Sequence, residues 1–257
     1  MVSYNENDVV LEIRGLEKHF GGIRAVDKID MKLYRNEILA IVGDNGAGKS
    51  TLIKTIVGVN KKDGGEIYIE GKEAEIHNTR DAKNYSIEVV YQDKGLIQAL
   101  DASSNLFLGR EKIQKNLLGK LFRFLDNKYM RKETEKLLIR IGVKLKNLNA
   151  PTGFLSGGQQ QSVAVGRAIY WGGKILIFDE PTNNLGVGEQ HKTIEHIKNI
   201  RDTYKDVSII VITHNLYHVF ELSDRIIVLR NGQVVGEKLR NQTTINEVSS
   251  MITGLAA

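Results

Sequence analysis

The chain has 257 residues, 41% hydrophobic and 26% charged, enough for one large domain or a domain with a sizeable insertion. It has no cysteine, which excludes disulfides, thiol catalysis and zinc–thiolate sites. Its formal charge of +5 is read as spread along the surface, with no long run of like charges and little weight for a nucleic-acid partner. Met1 to Asp8 reads as neither a signal nor a transit peptide, and no apolar stretch is long enough for a bilayer. Any membrane span is therefore expected from another chain.

In chain order, Val9–Ile13 and Ile29–Leu33 are predicted strands, and between them lies a turn, His19-Phe20-Gly21-Gly22, carrying one large aromatic. Ile38–Val42 is a continuous apolar run, as in a strand buried on both faces. Gly43-Asp44-Asn45-Gly46-Ala47-Gly48-Lys49-Ser50-Thr51 then matches G-x-x-x-x-G-K-[ST], and a helix is predicted over Thr51–Val57, closed by Gly58. Strand, glycine loop and helix together make an anion site. The glycines let successive N–H groups point inward, and the helix start adds partial positive charge. Lys49 can reach the β- and γ-phosphates of a nucleoside triphosphate, and the Ser50 hydroxyl can hold Mg²⁺.

Glu66–Glu70, between Gly64-Gly65 and Gly71, adds a strand to an expected antiparallel β subdomain spanning about residues 8–72. Another strand is predicted over Ser86–Tyr91. From about 96 to 155 strand patterns vanish, and Lys128–Ile141 has helical periodicity, which predicts an inserted α-helical subdomain. The apolar groups Gly95-Leu96-Ile97 and Leu106-Phe107-Leu108 fit either a docking groove or this insertion's own core. Strands at Ile175–Phe178 and Ser208–Ile212 then alternate with helices near Val187–Tyr204 and Asn215–Leu222, the order of a parallel α/β sheet. Arg225–Leu229 and Gln233–Glu237 pair across an Asn231-Gly232 turn, and Thr244-Ile245-Asn246-Glu247 is a capping box opening a last helix.

Two further stretches carry chemistry. Ile175–Phe178 ends in Asp179 and Glu180: the first suits Mg²⁺, and the second, facing the other way, could polarise an attacking water. Ser156-Gly157-Gly158-Gln159 is an N-capping serine opening a helix to about Tyr170, a second anion-binding helix start. His214 and His218 do not share a helical face and read as no metal pair, while His191 and His196 read as ordinary surface residues.

With these motifs in this order, nearly the whole chain resembles the ATP-binding cassette (ABC) ATPases. The resemblance implies a single domain, 1–257, with a P-loop NTPase core carrying a parallel sheet, the antiparallel β subdomain and the helical insertion. It implies ATP and Mg²⁺ as ligands. Phe20 would stack on adenine, Val26 would lie with the nucleotide contacts, and Gly43 to Thr51 would wrap the phosphates. Gln92 would reach Mg²⁺ and the attacking water, and link the site to a transmembrane partner. Ser156, Gly157, Gly158 and Gln159 would close over the γ-phosphate of an opposing subunit. Asp179 would hold Mg²⁺, Glu180 would be the catalytic glutamate, and His214 would contact the γ-phosphate.

One position departs from the family: Gly186, in Asn184-Leu185-Gly186-Val187, replaces an aspartate in the loop that crosses the dimer interface. That wording, with Gly43-Asp44-Asn45-Gly46, Tyr91-Gln92-Asp93 and Asn105–Arg110, looks like cassettes of monosaccharide importers. Many of those fuse two cassettes, whereas one is seen here. The implied protein is the ATPase subunit of a sugar importer at the cytoplasmic face of the membrane. Its partners would be a second ATPase subunit, permease subunits and, indirectly, an extracytoplasmic solute-binding protein. His19–Val26 suits branched-chain amino acid importers equally well, and a soluble ABC protein acting on nucleic acid or ribosomes is the reading from another class.

Overall fold

The computed structural model describes residues 5–90, 95–116, 121–183 and 185–254. Its contacts divide the chain into two units, Met1–Val89 with Gly173–Pro181 and Tyr204–Ala257, and Val90–Gly172 with Thr182–Thr203. The second unit is larger than the predicted 96–155 insertion, because two long helices flanking the Asp179 strand pack with it.

In the first unit, β1 (Val9–Phe20) and β2 (Ile23–Tyr34) form one hairpin across Gly21-Gly22. Both strands are longer than their apolar runs suggested, and the Phe20 end is strand rather than turn. After β3 (Ile38–Val42), β4 (Gly64–Ile69) and β5 (Lys72–Glu73) complete an antiparallel sheet of order β2-β1-β4-β5. The second sheet adds β6 (Ile87–Val90), β7 (Ile175–Asp179), β8 (Ser208–Ile212), β9 (Arg225–Arg230) and β10 (Gln233–Leu239), in the order β10-β9-β3-β8-β7-β6. There β3 runs parallel to both β8 and β9, as the continuous apolar runs require. Every residue of β3 is buried.

The helices that lie wholly within the described residues are, in chain order, α1 (Lys49–Ile56), α2 (Thr79–Asn84), α3 (Ala102–Phe107), α4 (Asn127–Arg140), α5 (Gly157–Tyr170), α6 (Val187–Thr203), α7 (Leu216–Leu222) and α8 (Ile245–Thr253). The capping box at Thr244 forms with Glu247, and Gly254 ends α8 in the left-handed conformation. The main core of the first unit joins Leu11, Ile13 and Leu33 of the antiparallel sheet to Leu39, Ile41 and Leu52 of the phosphate-loop elements. Ala40, Val42, Ile226 and Val228 form a smaller cluster with Val219 of α7 and Val248 of α8.

The second unit is helical. Phe107 is completely buried, with Tyr170 edge-on at 5.0 Å and Trp171 at 5.7 Å between ring centroids. Trp171 Nε1 donates to the Leu106 carbonyl oxygen at 2.8 Å. Leu106 and Phe107 therefore fill this unit's own core, which settles their two readings in favour of the insertion; Ile97 and Leu108 are exposed.

One ion pair was not visible in the sequence. Arg225, opening β9, and Glu37, just before β3, are both buried, with Nε to Oε1 at 2.7 Å and Nη2 to Oε2 at 2.9 Å. Arg225 also donates to the Lys32 carbonyl oxygen at 2.6 Å and meets Glu237 of β10. It thus ties β2, β9, β10 and the entry to β3. Arg225→Ala should destabilise the fold by about 3–5 kcal/mol, because it strands the Glu37 carboxylate. A denaturation midpoint unchanged from wild type would show that the pair contributes nothing.

Candidate functional site

The site of the first unit is built on the turn between β3 and α1. Gly48, the N-cap of α1, has φ +101°, a conformation that L side chains rarely adopt. A Cβ there would strike the Ala25 carbonyl oxygen, and one on Gly43 would strike that of Leu229. The loop is therefore pressed against neighbouring backbone. The Gly232 N–H donates to the Ala47 carbonyl oxygen at 3.0 Å, and the Asp27 N–H to that of Gly232 at 2.8 Å. So the Asn231-Gly232 turn, recognisable in sequence only as a hairpin signal, also braces the phosphate loop.

Ala47 is buried, its N–H on the Asp44 carbonyl oxygen at 3.1 Å, and the Asn45 N–H donates to Asp44 Oδ1 at 2.7 Å. Gly46 (φ +80°) completes the bend, and Ser50 and Thr51 open the helix with Ser50 exposed. Lys49 is buried, and its Nζ donates to the carbonyl oxygens of Gly43 at 2.7 Å and Asp44 at 2.9 Å. Burial pulls its ammonium below the ordinary lysine value, opposed by the charges of Glu180, Asp44 and Asp179.

Asp179 ends β7. Burial pushes its carboxyl above the usual range, the Glu180 charge adds to this, and Lys54 and Lys49 oppose it. Its Oδ1 is buried with no hydrogen-bond partner. Such an atom fits a hard cation, which supplies what the protein does not. Among the described residues no group of three or more His, Cys, Asp or Glu could hold a metal alone, so Ser50 and Asp179 would share the ion with phosphate oxygens and water.

Glu180 follows at once, with φ +50°, and its N–H donates to the Ile212 carbonyl oxygen at 2.9 Å. That backbone turns its carboxylate toward His214, whose Nδ1 lies 3.0 Å from Oε1 and 3.1 Å from Oε2. Lys49, Asp179, Glu180 and His214 are thus gathered at the ends of β3, β7 and β8. Phe20 lies at the tip of the β1–β2 hairpin, 49% exposed, with Lys18 Nζ 5.3 Å from its ring centroid. Val26 is different: it is completely buried in the main core, so its side chain presents no surface to a ligand. Gln92 lies outside the described residues.

In the second unit, Ser156 caps α5 as expected: its Oγ accepts the Gln159 N–H at 3.4 Å while Gln159 Oε1 accepts the Ser156 N–H at 3.1 Å. Ser156 is exposed and Gly158 buried, so the helix start faces outward on a fixed base. A Cβ on Gly186 would meet nothing within 4 Å, so the departure from aspartate is not forced by space in this chain.

His218 sits on α7 beside Asn215 Nδ2 at 3.4 Å. His196 overturns its expectation: far from an ordinary surface residue, it is half-buried on α6, with Nδ1 3.2 Å from Ser162 Oγ. Burial holds its imidazole below the ordinary value of 6.5. As pH falls past that value the unfolded chain takes up a proton that the folded chain resists, so stability is lost on acidification. Unfolding free energy should fall between about pH 7 and 5, less steeply in His196→Gln, as denaturant titrations would register; identical slopes would contradict the burial argument.

The sequence profile of the family described as "ABC transporter" matches residues 26–183. The chain is 39% identical to the xylose/arabinose import ATP-binding protein XylG of Sulfolobus acidocaldarius, over 96% of this chain and 95% of that one. It is 42% identical to the fructose import ATP-binding protein FrcA of Rhizobium meliloti, over 95% and 94%. With the ribose import ATP-binding protein RbsA of Caldanaerobacter subterraneus it shares 38% identity over 95% of this chain, which spans only 48% of that longer protein. Among solved structures, the ADP conformation of the ATP-binding cassette MJ1267 superposes with a TM-score of 0.79 at 26% identity, covering 96% of each chain. The dimeric cassette MJ0796 gives 0.71 at 25%, covering 90% of this chain and 98% of that one.

Proposed function

Because the chain belongs to the ABC transporter family, we propose that it is the ATP-hydrolysing subunit of a membrane importer for a simple sugar. The observation that carries the chemistry is the Glu180–His214 pair, held at the sheet end that also presents Lys49 and Asp179. The sugar assignment rests on the relatives, named for import of xylose or arabinose, fructose and ribose.

In this reading Phe20 stacks on adenine and the backbone of Gly43 to Thr51 receives the phosphates, with Lys49 turning from its own loop carbonyls to the β- and γ-oxygens. Ser50 and Asp179 would hold Mg²⁺, which would supply positive charge against that developing on the transferred phosphoryl group. Glu180 accepts a proton from the attacking water. His214 fixes the Glu180 carboxylate through Nδ1 and leaves its other ring nitrogen for the γ-phosphate. Gln92 is assigned to Mg²⁺ and water by resemblance alone. Glu180→Gln should bind ATP normally but hydrolyse it at least about a hundredfold more slowly. A rate within about threefold of wild type would remove Glu180 as the base.

Ser156 to Gln159 would close over the nucleotide held by a second copy, whose own site is completed in return; the dimeric relative supports pairing. Among the described residues no helix is long and apolar enough to cross a membrane, so the span is assigned to permease subunits. The cassette would sit at the cytoplasmic face, with an extracytoplasmic solute-binding protein delivering the sugar. Mixing inactive Lys49→Ala protein with inactive Ser156→Arg protein tests the shared site. A mixed dimer holds one intact site, so activity should recover to about a quarter of wild type with random pairing and independent sites. If the Ser156→Arg protein is fully active as a strict monomer, the shared-site reading is wrong.

A further inference from the structure

The charge of this chain is not spread evenly, although no long run of like charges marks it. Residues 110–132 hold eight Lys or Arg against two Asp or Glu, a net +6, whereas the other residues hold 28 against 29, a net −1. The whole basic excess of the protein lies in one short stretch of the second unit. Of its two acids, Glu111 accepts the Gly109 N–H at 2.9 Å, and Asp126 caps α4 by accepting the Tyr129 N–H at 3.0 Å. Lys115, Arg123 and Lys128 form no ion pair among the described residues.

The same stretch exposes apolar side chains. Leu121, Phe122 and Phe124 are 71%, 61% and 54% exposed, and the two phenylalanine rings lie 5.8 Å apart. This is not a frayed end. The Gln114 N–H donates to the Phe124 carbonyl oxygen at 2.9 Å and the Asp126 N–H to that of Lys112 at 2.7 Å, around an antiparallel bridge between Ile113 and Leu125. Backbone pairing therefore holds Phe124 and Leu125 in place with their side chains outward. Lys112 and Arg110 are anchored at the base, over the Trp171 ring at 5.5 and 4.7 Å.

We propose that this basic, aromatic arm docks on an anionic phospholipid surface, with Phe122 and Phe124 entering the headgroup layer while the surrounding cations meet lipid phosphates. Charge complementarity selects the partner. Aromatic rings flanked by Lys and Arg suit the boundary between headgroups and acyl chains, and each cation near an anionic leaflet adds attraction. No step of the argument uses the nucleotide site, so the inference stands or falls independently of the catalytic reading.

The test is sedimentation of the full chain with vesicles of phosphatidylcholine alone or with about one-third phosphatidylglycerol, at low and high ionic strength. The anionic vesicles should carry the protein down at low ionic strength and release much of it at high, and the neutral ones should not. Phe122→Ser/Phe124→Ser and, separately, Lys115→Glu/Arg123→Glu should each weaken binding at least about tenfold. Circular dichroism and lipid-free ATPase rate should stay unchanged, since none of these residues belongs to the nucleotide site. No binding to anionic vesicles, or equal binding to neutral ones, overturns the proposal. So does full binding by the phenylalanine variant, which would leave only diffuse electrostatic attraction. If the phenylalanine substitutions instead change the sedimentation velocity of lipid-free protein, a second copy covers the arm and the lipid proposal fails.

Discussion

The close approach of three backbone segments to the phosphate loop is the constraint on which the first unit depends. The carbonyls of Ala25 and Leu229 stand where any side chain at Gly48 or Gly43 would have to go, and Gly232 hydrogen-bonds Ala47 from the far side. Those contacts come from β2 and from β9 with its turn into β10, the two remote in sequence from one another and β9 remote from the loop. Arg225 pins the same elements together through Glu37, Lys32 and Glu237. The loop's shape is thus a tertiary property, imposed by the sheets that flank it and permitted by glycine.

Electrostatics at the loop lean against isolated charge. Burial disfavours both the Lys49 ammonium and the Asp179 carboxylate, and each partly rescues the other. A polyphosphate would favour charge on the lysine, and a divalent cation would favour charge on the aspartate. Neither ligand alone relieves both groups. The arrangement would therefore favour joint occupancy by a polyphosphate and a divalent cation.

Much of this was legible locally. Continuous apolar runs identified β3, β7 and β8 because parallel strands buried on both faces leave no alternation to misread. Ser156 and Thr244 announced their helices because a capping box is a contact between residues three apart. What escaped was non-local. β1 and β2 run past their apolar stretches because pairing, with irregular register after Ile13, carries polar residues along. The short α2 and α3 lack the length for a clear period. The burial of Val26 and of His196 escaped for one reason: motif position and residue type do not report burial, which distant elements decide. Phe107 could be placed only once Tyr170 and Trp171 were seen to surround it.

The left-handed backbone at Glu180 has a consequence for how such a chain evolves. A non-glycine residue at φ +50° carries about 1 kcal/mol or more of strain, and glycine would rest there comfortably. Selection for thermal robustness alone would push this position away from glutamate. Here that backbone carries the Glu180 carboxylate to 3.0 Å from His214 Nδ1, so relief of the strain and the placement of the carboxylate oppose each other. Substitutions at residue 180 chosen for stability alone would therefore favour glycine, and the carboxylate that faces His214 would be the first thing lost.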